Sequence, residues 1–145
     1  MVESVALSKL IDETNMFFRR HWDSQTILAD PPSWMLWEPF LKGSVPNHTL
    51  GGCYALFSGQ VLKYIGLGAS LGGGIYKECG LSRRLMAHVI RAGKSRGSDW
   101  SRLRAGWEDV TGILTIGFPE GAVYLSPALE SYLIRRLMPP GNARV

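Results

Sequence analysis

The chain has 145 residues, of which 46% are hydrophobic and 19% charged, a balance expected of one globular domain with a buried core. No run approaches 18 consecutive apolar residues, which excludes a membrane-spanning helix, and Met1-Val2-Glu3-Ser4 lacks the basic start and apolar run of a secretory leader. Net charge is +4, unevenly spread: residues 1–50 carry −2, residues 51–80 carry +1 and residues 81–145 carry +5, so a polyanionic partner would meet the C-terminal part.

In chain order, the first 22 residues have helical spacing, with Val5, Leu10, Ile11, Phe17 and Phe18 near one another on a wheel. Asp30-Pro31-Pro32-Ser33 breaks the chain, and Trp34-Met35-Leu36-Trp37 with Phe40 reads as a packing flap. From Gly51 the pattern becomes strand-like. Cys53–Phe57 and Val61–Ile65 are two strands, and Ser58-Gly59-Gln60 between them predicts a hairpin with a three-residue loop. That odd connection pairs Tyr54 with Tyr64 and puts both on one face; a two-residue loop would put them on opposite faces. The glycine-rich stretch from Gly66 to Gly74 nearly spells a dinucleotide fingerprint, but Leu71 stands where the third glycine should be, so it reads as a loop. A helix is expected over 81–92, a third strand over 110–116 and a last helix from Ser126 as N-cap with Pro127 first. Pro139-Pro140-Gly141 ends it. Cys53 and Cys79 fit no zinc or redox spacing and read as reduced thiols of a cytoplasmic protein. The fold class expected is α+β, a small, mainly antiparallel three-stranded sheet flanked by helices, with residues 1–50 as an N-terminal helical and aromatic extension to a domain over 51–145.

Three sets of residues could carry chemistry. Glu130 shares a helix face with Leu133, Ile134 and Leu137. A carboxylate on an apolar face must be paired, protonated or bound to a metal, unless it sits at the edge of the stripe in water. Arg84 and His88 lie one turn apart beside the stripe Leu81, Leu85 and Val89. Arg84 is the inward cation and Arg83 the outward one, and an inward guanidinium either grips a phosphate or closes a salt bridge. Tyr54 and Tyr64 on paired strands are ordinary sheet residues unless their surroundings lower the phenol pKa enough to let one activate a water. The basic stretch Arg91, Lys94, Arg96, Arg102 and Arg104, with Trp100 among them, suits a phosphate backbone, although a solvated face would look the same.

Taken together these motifs resemble the GIY-YIG nuclease family. Gly52-Cys53-Tyr54 and Tyr64-Ile65-Gly66 match its paired motifs, with Cys53 where Ile or Val is usual. Gly80-Leu81-Ser82-Arg83-Arg84-Leu85-Met86-Ala87-His88 resembles its Arg-bearing helix. Glu130-Ser131-Tyr132-Leu133-Ile134 followed by Pro139 and Asn142 resembles its closing helix, in the spacing of the restriction-enzyme branch. The literal Gly74-Ile75-Tyr76 falls after the second motif and outside the strand pattern. The resemblance spans residues 51–142.

What the resemblance implies is a metal-dependent endonuclease that hydrolyses phosphodiester bonds in DNA, double-stranded for preference. Glu130 would bind one Mg²⁺ or Mn²⁺. Arg84 would clamp the phosphate, Tyr54 activate the water, and Tyr64 position the phosphate or assist that activation. His88 would hydrogen-bond the phosphate or Tyr54, and Asn142 would fix geometry near the metal. Lys63, Arg91, Lys94, Arg96, Arg102 and Arg104 would hold the flanking backbone. A homodimer would supply two active sites for a double-strand cut. The alternative is an inactive DNA-binding or interaction module that keeps the fold.

Overall fold

The structure, a computed structural model, describes residues 4–68, 80–93 and 99–142. Cys79, Lys94, Arg96 and most of the glycine-rich stretch lie outside the described residues. The elements are helices α1 (Val5–His21), α2 (Ser24–Ile27), α3 (Gly80–His88) and α4 (Ser126–Leu137), and strands β1 (Met35–Leu36), β2 (Gly52–Ser58), β3 (Val61–Leu67), β4 (Ile90–Ala92), β5 (Ser101–Leu103) and β6 (Gly112–Gly117). Four strands form an antiparallel sheet in the order β1-β6-β2-β3, and β4 and β5 form a separate ribbon. The fold is α+β, with one strand more in the main sheet than the sequence predicts.

The central strand β2 is buried from Gly52 to Phe57 because both its faces are covered. Cys53, Ala55 and Phe57 face a core completed by Leu10, Phe17 and Phe18 of α1 and Leu129 and Leu133 of α4. Tyr54 and Leu56 face a second core with Leu81 and Leu85 of α3, Val89, Ile113 and Trp37. Period-two alternation on β2 thus feeds two helical layers. Each fully buried large apolar side chain contributes about 1.5–3 kcal/mol. Among the described residues no helix is long and apolar enough to cross a membrane.

Residues 1–50 are built into this fold rather than appended to it. Ser4 caps α1 by accepting from the Leu7 amide at 3.1 Å. Glu13 on α1 pairs with Arg136 on α4 at 3.2 Å and accepts from the Tyr132 hydroxyl at 3.1 Å. The pairing with Arg136 holds the Glu13 carboxyl below its ordinary range. Trp34 donates its indole N–H to Thr14 Oγ1, and Trp37 donates to the Lys42 carbonyl. The aromatic cluster is a packing flap, and β1 within it extends the sheet beside β6. Val5 and Ile11 are exposed, so the buried stripe of α1 is narrower than the wheel suggests.

Two other expectations need correction. The helix predicted to reach residue 92 stops at His88, and the β-branched pair Val89-Ile90 turns instead into β4. Ser126 does not cap α4. It already has helical φ and ψ, because the chain enters from a 3-10 turn over Glu120–Leu125, and its hydroxyl donates back to the Val123 carbonyl.

Candidate functional site

The hairpin β2–β3 carries both tyrosines, and its geometry differs from the sequence expectation. Ser58 pairs with Val61, which leaves Gly59-Gln60 as a two-residue turn, with Gly59 at φ +60°. By parity alone this would send Tyr64 to the face opposite Tyr54. A β-bulge prevents it. Phe57 pairs with Leu62 and Leu56 with Tyr64, so Lys63 is the extra residue and alternation restarts beyond it. Tyr64 therefore joins Tyr54 on the α3 face, as its diagonal neighbour, with ring centroids 6.1 Å apart. The shared face stands, while the three-residue loop and the direct Tyr54–Tyr64 pair do not.

The glycines flanking these tyrosines have steric reasons. Tyr54 sits opposite Gly66. A Cβ on Gly66 would lie 2.2 Å from Cζ and 2.4 Å from Oη of Tyr54, so the ring fills the space that any other residue would need. A Cβ on Gly52 would lie 1.9 Å from the Ile116 carbonyl oxygen of β6.

Where β3 ends, α3 from one layer and α4 from the other flank a cleft of about 500 Å³, lined by Leu67, Gly68, Gly80, Arg83, Arg84, Ala87, His88 and Glu130. Gly68 and Gly80 touch closely enough that a Cβ on Gly80 would lie 2.3 Å from the Gly68 oxygen. Small residues thus form the floor. The structure brings together Arg84, His88 and Glu130. It also places Arg83 on the cleft, against the expectation that this residue points away. A nine-residue helix lying along a cleft presents two adjacent positions to it, which a wheel divided into inside and outside does not show.

Glu130 is half-buried at the edge of the apolar stripe, with Leu129 and Leu133 fully buried beside it. Burial raises its pKa above the ordinary value, and the Arg84 charge partly opposes this. Tyr54 is 2% exposed and is not part of the lining. Its pKa is raised, first by burial and then by Tyr64, and the charge of the Arg84 guanidinium only partly offsets that. Burial thus favours the neutral phenol. Tyr64 packs edge-on against Trp107 at 5.2 Å and does not line the cleft.

Asn142 acts elsewhere than expected. Its side chain accepts from the Ile65 amide at 2.8 Å and donates to the Ile65 carbonyl at 2.9 Å. Both amide functions are thus used on the outer edge of β3, where they fix the segment between Tyr64 and Gly66. Lys63 pairs with Asp109 and lies over the Trp107 ring at 5.3 Å, which pins the bulge. Arg104 is committed to backbone carbonyls of Met86 and Ile90, closing the C-terminal end of α3. Only Arg91 and Arg102 of the expected DNA contacts remain without such engagement among the described residues, on the β4–β5 ribbon.

Among the described residues no three His, Cys, Asp or Glu side chains cluster to hold a metal. The donor set at the cleft is one carboxylate. Such a set fits a hard divalent cation that keeps most of its waters and takes other ligands from substrate phosphates, as Mg²⁺ does; it does not fit a closed structural site. No protein-family profile, curated protein or solved structure matches the chain.

Proposed function

We propose that the cleft between α3 and α4 is the active site of a metal-dependent phosphodiesterase acting on DNA, of the GIY-YIG kind. The observation that carries this reading is Glu130: a half-buried carboxylate, without an ion-pair partner within 4 Å among the described residues, facing the same cleft as Arg84 and His88. A structural Glu would be neutralised by a direct bridge; this one is left to receive something positive. Glu130 would hold a Mg²⁺ or Mn²⁺ ion, which supplies Lewis acidity and a more acidic bound water.

The remaining roles follow from position. Arg84 presents its guanidinium to the cleft and stabilises charge developing on the phosphoryl oxygens. Tyr54, buried behind the cleft, would favour its neutral form and limit where that guanidinium can lie. Tyr64 supports the Tyr54 ring. His88, exposed at the end of α3, is placed to hydrogen-bond a phosphate or to protonate a leaving oxygen. Arg83 adds a second cation at the rim. Asn142 positions β3 and touches no reacting group. A cytoplasmic location and a homodimer belong to the same proposal.

An inactive DNA-binding module is the second reading, and one observation favours it: Tyr54 is buried and does not line the cleft. Supercoiled plasmid with Mg²⁺ or Mn²⁺ distinguishes the two. The nuclease reading predicts nicking or cutting by the wild type and a loss of at least about 10²-fold in Glu130→Ala and Arg84→Ala; a binding module shifts plasmid mobility without breaking it.

A further inference from the structure

The β4–β5 ribbon carries a basic surface outside the cleft. Arg91 and Arg102 are direct cross-strand partners, and like charges placed opposite one another destabilise a ribbon unless an anion lies between them. Neither is paired with a carboxylate among the described residues, and Arg102 Nε, itself buried, has no hydrogen-bond partner among them. Among the described residues neither guanidinium has a hydrogen bond to the backbone like those of Arg104.

The same face continues onto residues from the N-terminal part of the chain. Trp100 lies two residues before Arg102 and bridges antiparallel to Lys42, so alternation puts Lys42, Trp100, Arg102 and Arg91 on one side. Lys42 Nζ lies over the Trp100 ring at 5.7 Å. Lys42 is also fixed from below. Its carbonyl accepts from the buried Trp37 indole at 2.8 Å, and the flanking Leu41 and Gly43 bond Ser101 and Asp99 backbone groups at 2.7 Å. The opposite side of the ribbon is apolar, with Ile90 and Leu103 packed on the α3-side core. The surface thus carries three cations on the same side as an indole that is 52% exposed.

We propose that this face binds a single-stranded stretch of DNA beside the cleavage point, Arg91, Arg102 and Lys42 taking successive phosphates and Trp100 receiving an unpaired base. Cations that follow a backbone beside an exposed aromatic are what an unpaired strand requires; a duplex offers phosphates but no free base face. The inference rests on the reading of the chain as DNA-acting and names the form of DNA.

The test is fluorescence anisotropy with labelled single-stranded and duplex oligonucleotides of equal length, in EDTA so that nothing is cut, over a salt series. The Arg91→Gln/Arg102→Gln double variant should bind about tenfold or more weakly, with a salt dependence shallower by about two phosphate contacts. Trp100→Ala should weaken single-strand binding about tenfold and leave duplex binding unchanged. Wild-type affinity and salt slope in the double variant overturn the proposal, as does an equal effect of Trp100→Ala on both DNAs. Arg91 is exposed, so Arg91→Gln alone, with about half the change in slope, serves if the double variant does not fold. Loss of binding in a protein that never cuts plasmid removes the nuclease reading alone; unchanged binding in variants of a protein that cuts removes the ribbon alone.

Discussion

At Gly66 a missing methyl group decides where a phenol lies. The Tyr54 ring occupies the Cβ position, so Gly66→Ala must push the ring away and with it the limit on where Arg84 can lie. Misplacement of about 1 Å at a reacting centre costs on the order of 10²-fold, and that loss in plasmid cleavage, with DNA binding retained, is the outcome expected. Glu130 allows a stability prediction whose sign is set by burial. Its folded pKa is raised, so the neutral form is the one the fold prefers, and the stability from that preference is lost as pH rises through the folded value. Glu130→Gln should therefore keep or raise Tm at neutral pH while cleavage disappears; a structural carboxylate would lower Tm on the same change. Protons should also compete with metal at Glu130 at a higher pH than at an exposed glutamate, so cleavage should fall early on the acid side. Glu130 was legible in the sequence because a charge on an apolar stripe is anomalous wherever the helix packs. The state of Tyr54 was not, because its burial comes from Leu81 and Leu85 on an element about 30 residues downstream.

The element that makes the hairpin work is the bulge at Lys63. Its partners, Asp109 and Trp107, lie in the segment leading to β6 and were not visible from the hairpin sequence. The tyrosines need one extra residue between them to share a face; hairpin parity alone puts that residue in the turn, whereas the strand holds it. Inserting one alanine after Lys63, with the bulge kept, should pair Tyr64 with Ala55, on the wrong face, and cleavage should fall at least about 10²-fold. Lys63→Gln keeps the residue count and should stay within a few-fold of wild type, a contrast read from cleavage rates of the two variants side by side. The β4–β5 ribbon escaped the sequence reading for another reason. Strands of three residues carry no period to detect, and Val89-Ile90 suits a helix end as well as a strand start.

For the whole molecule, the sheet has helices on both faces and the cleft lies where β3 ends between α3 and α4. Residues 1–50 complete both layers: α1 supplies Leu10, Phe17 and Phe18 to one core and Trp37 enters the other. Phe17→Ala should cost about 3–5 kcal/mol in urea unfolding, and a chain beginning at Gly51 should lack a cooperative transition; a cooperative one would show that the N-terminal part is dispensable. The central claim is that a divalent ion held by Glu130 and the charge of Arg84 together break DNA in this cleft. The most direct measurement is single-turnover cleavage of supercoiled plasmid across a Mg²⁺ titration, comparing wild type with Glu130→Gln. The account predicts saturable, metal-dependent cutting by the wild type and none above background by Glu130→Gln at any Mg²⁺ concentration; equal cutting by both proteins, or cutting that survives EDTA, would contradict it.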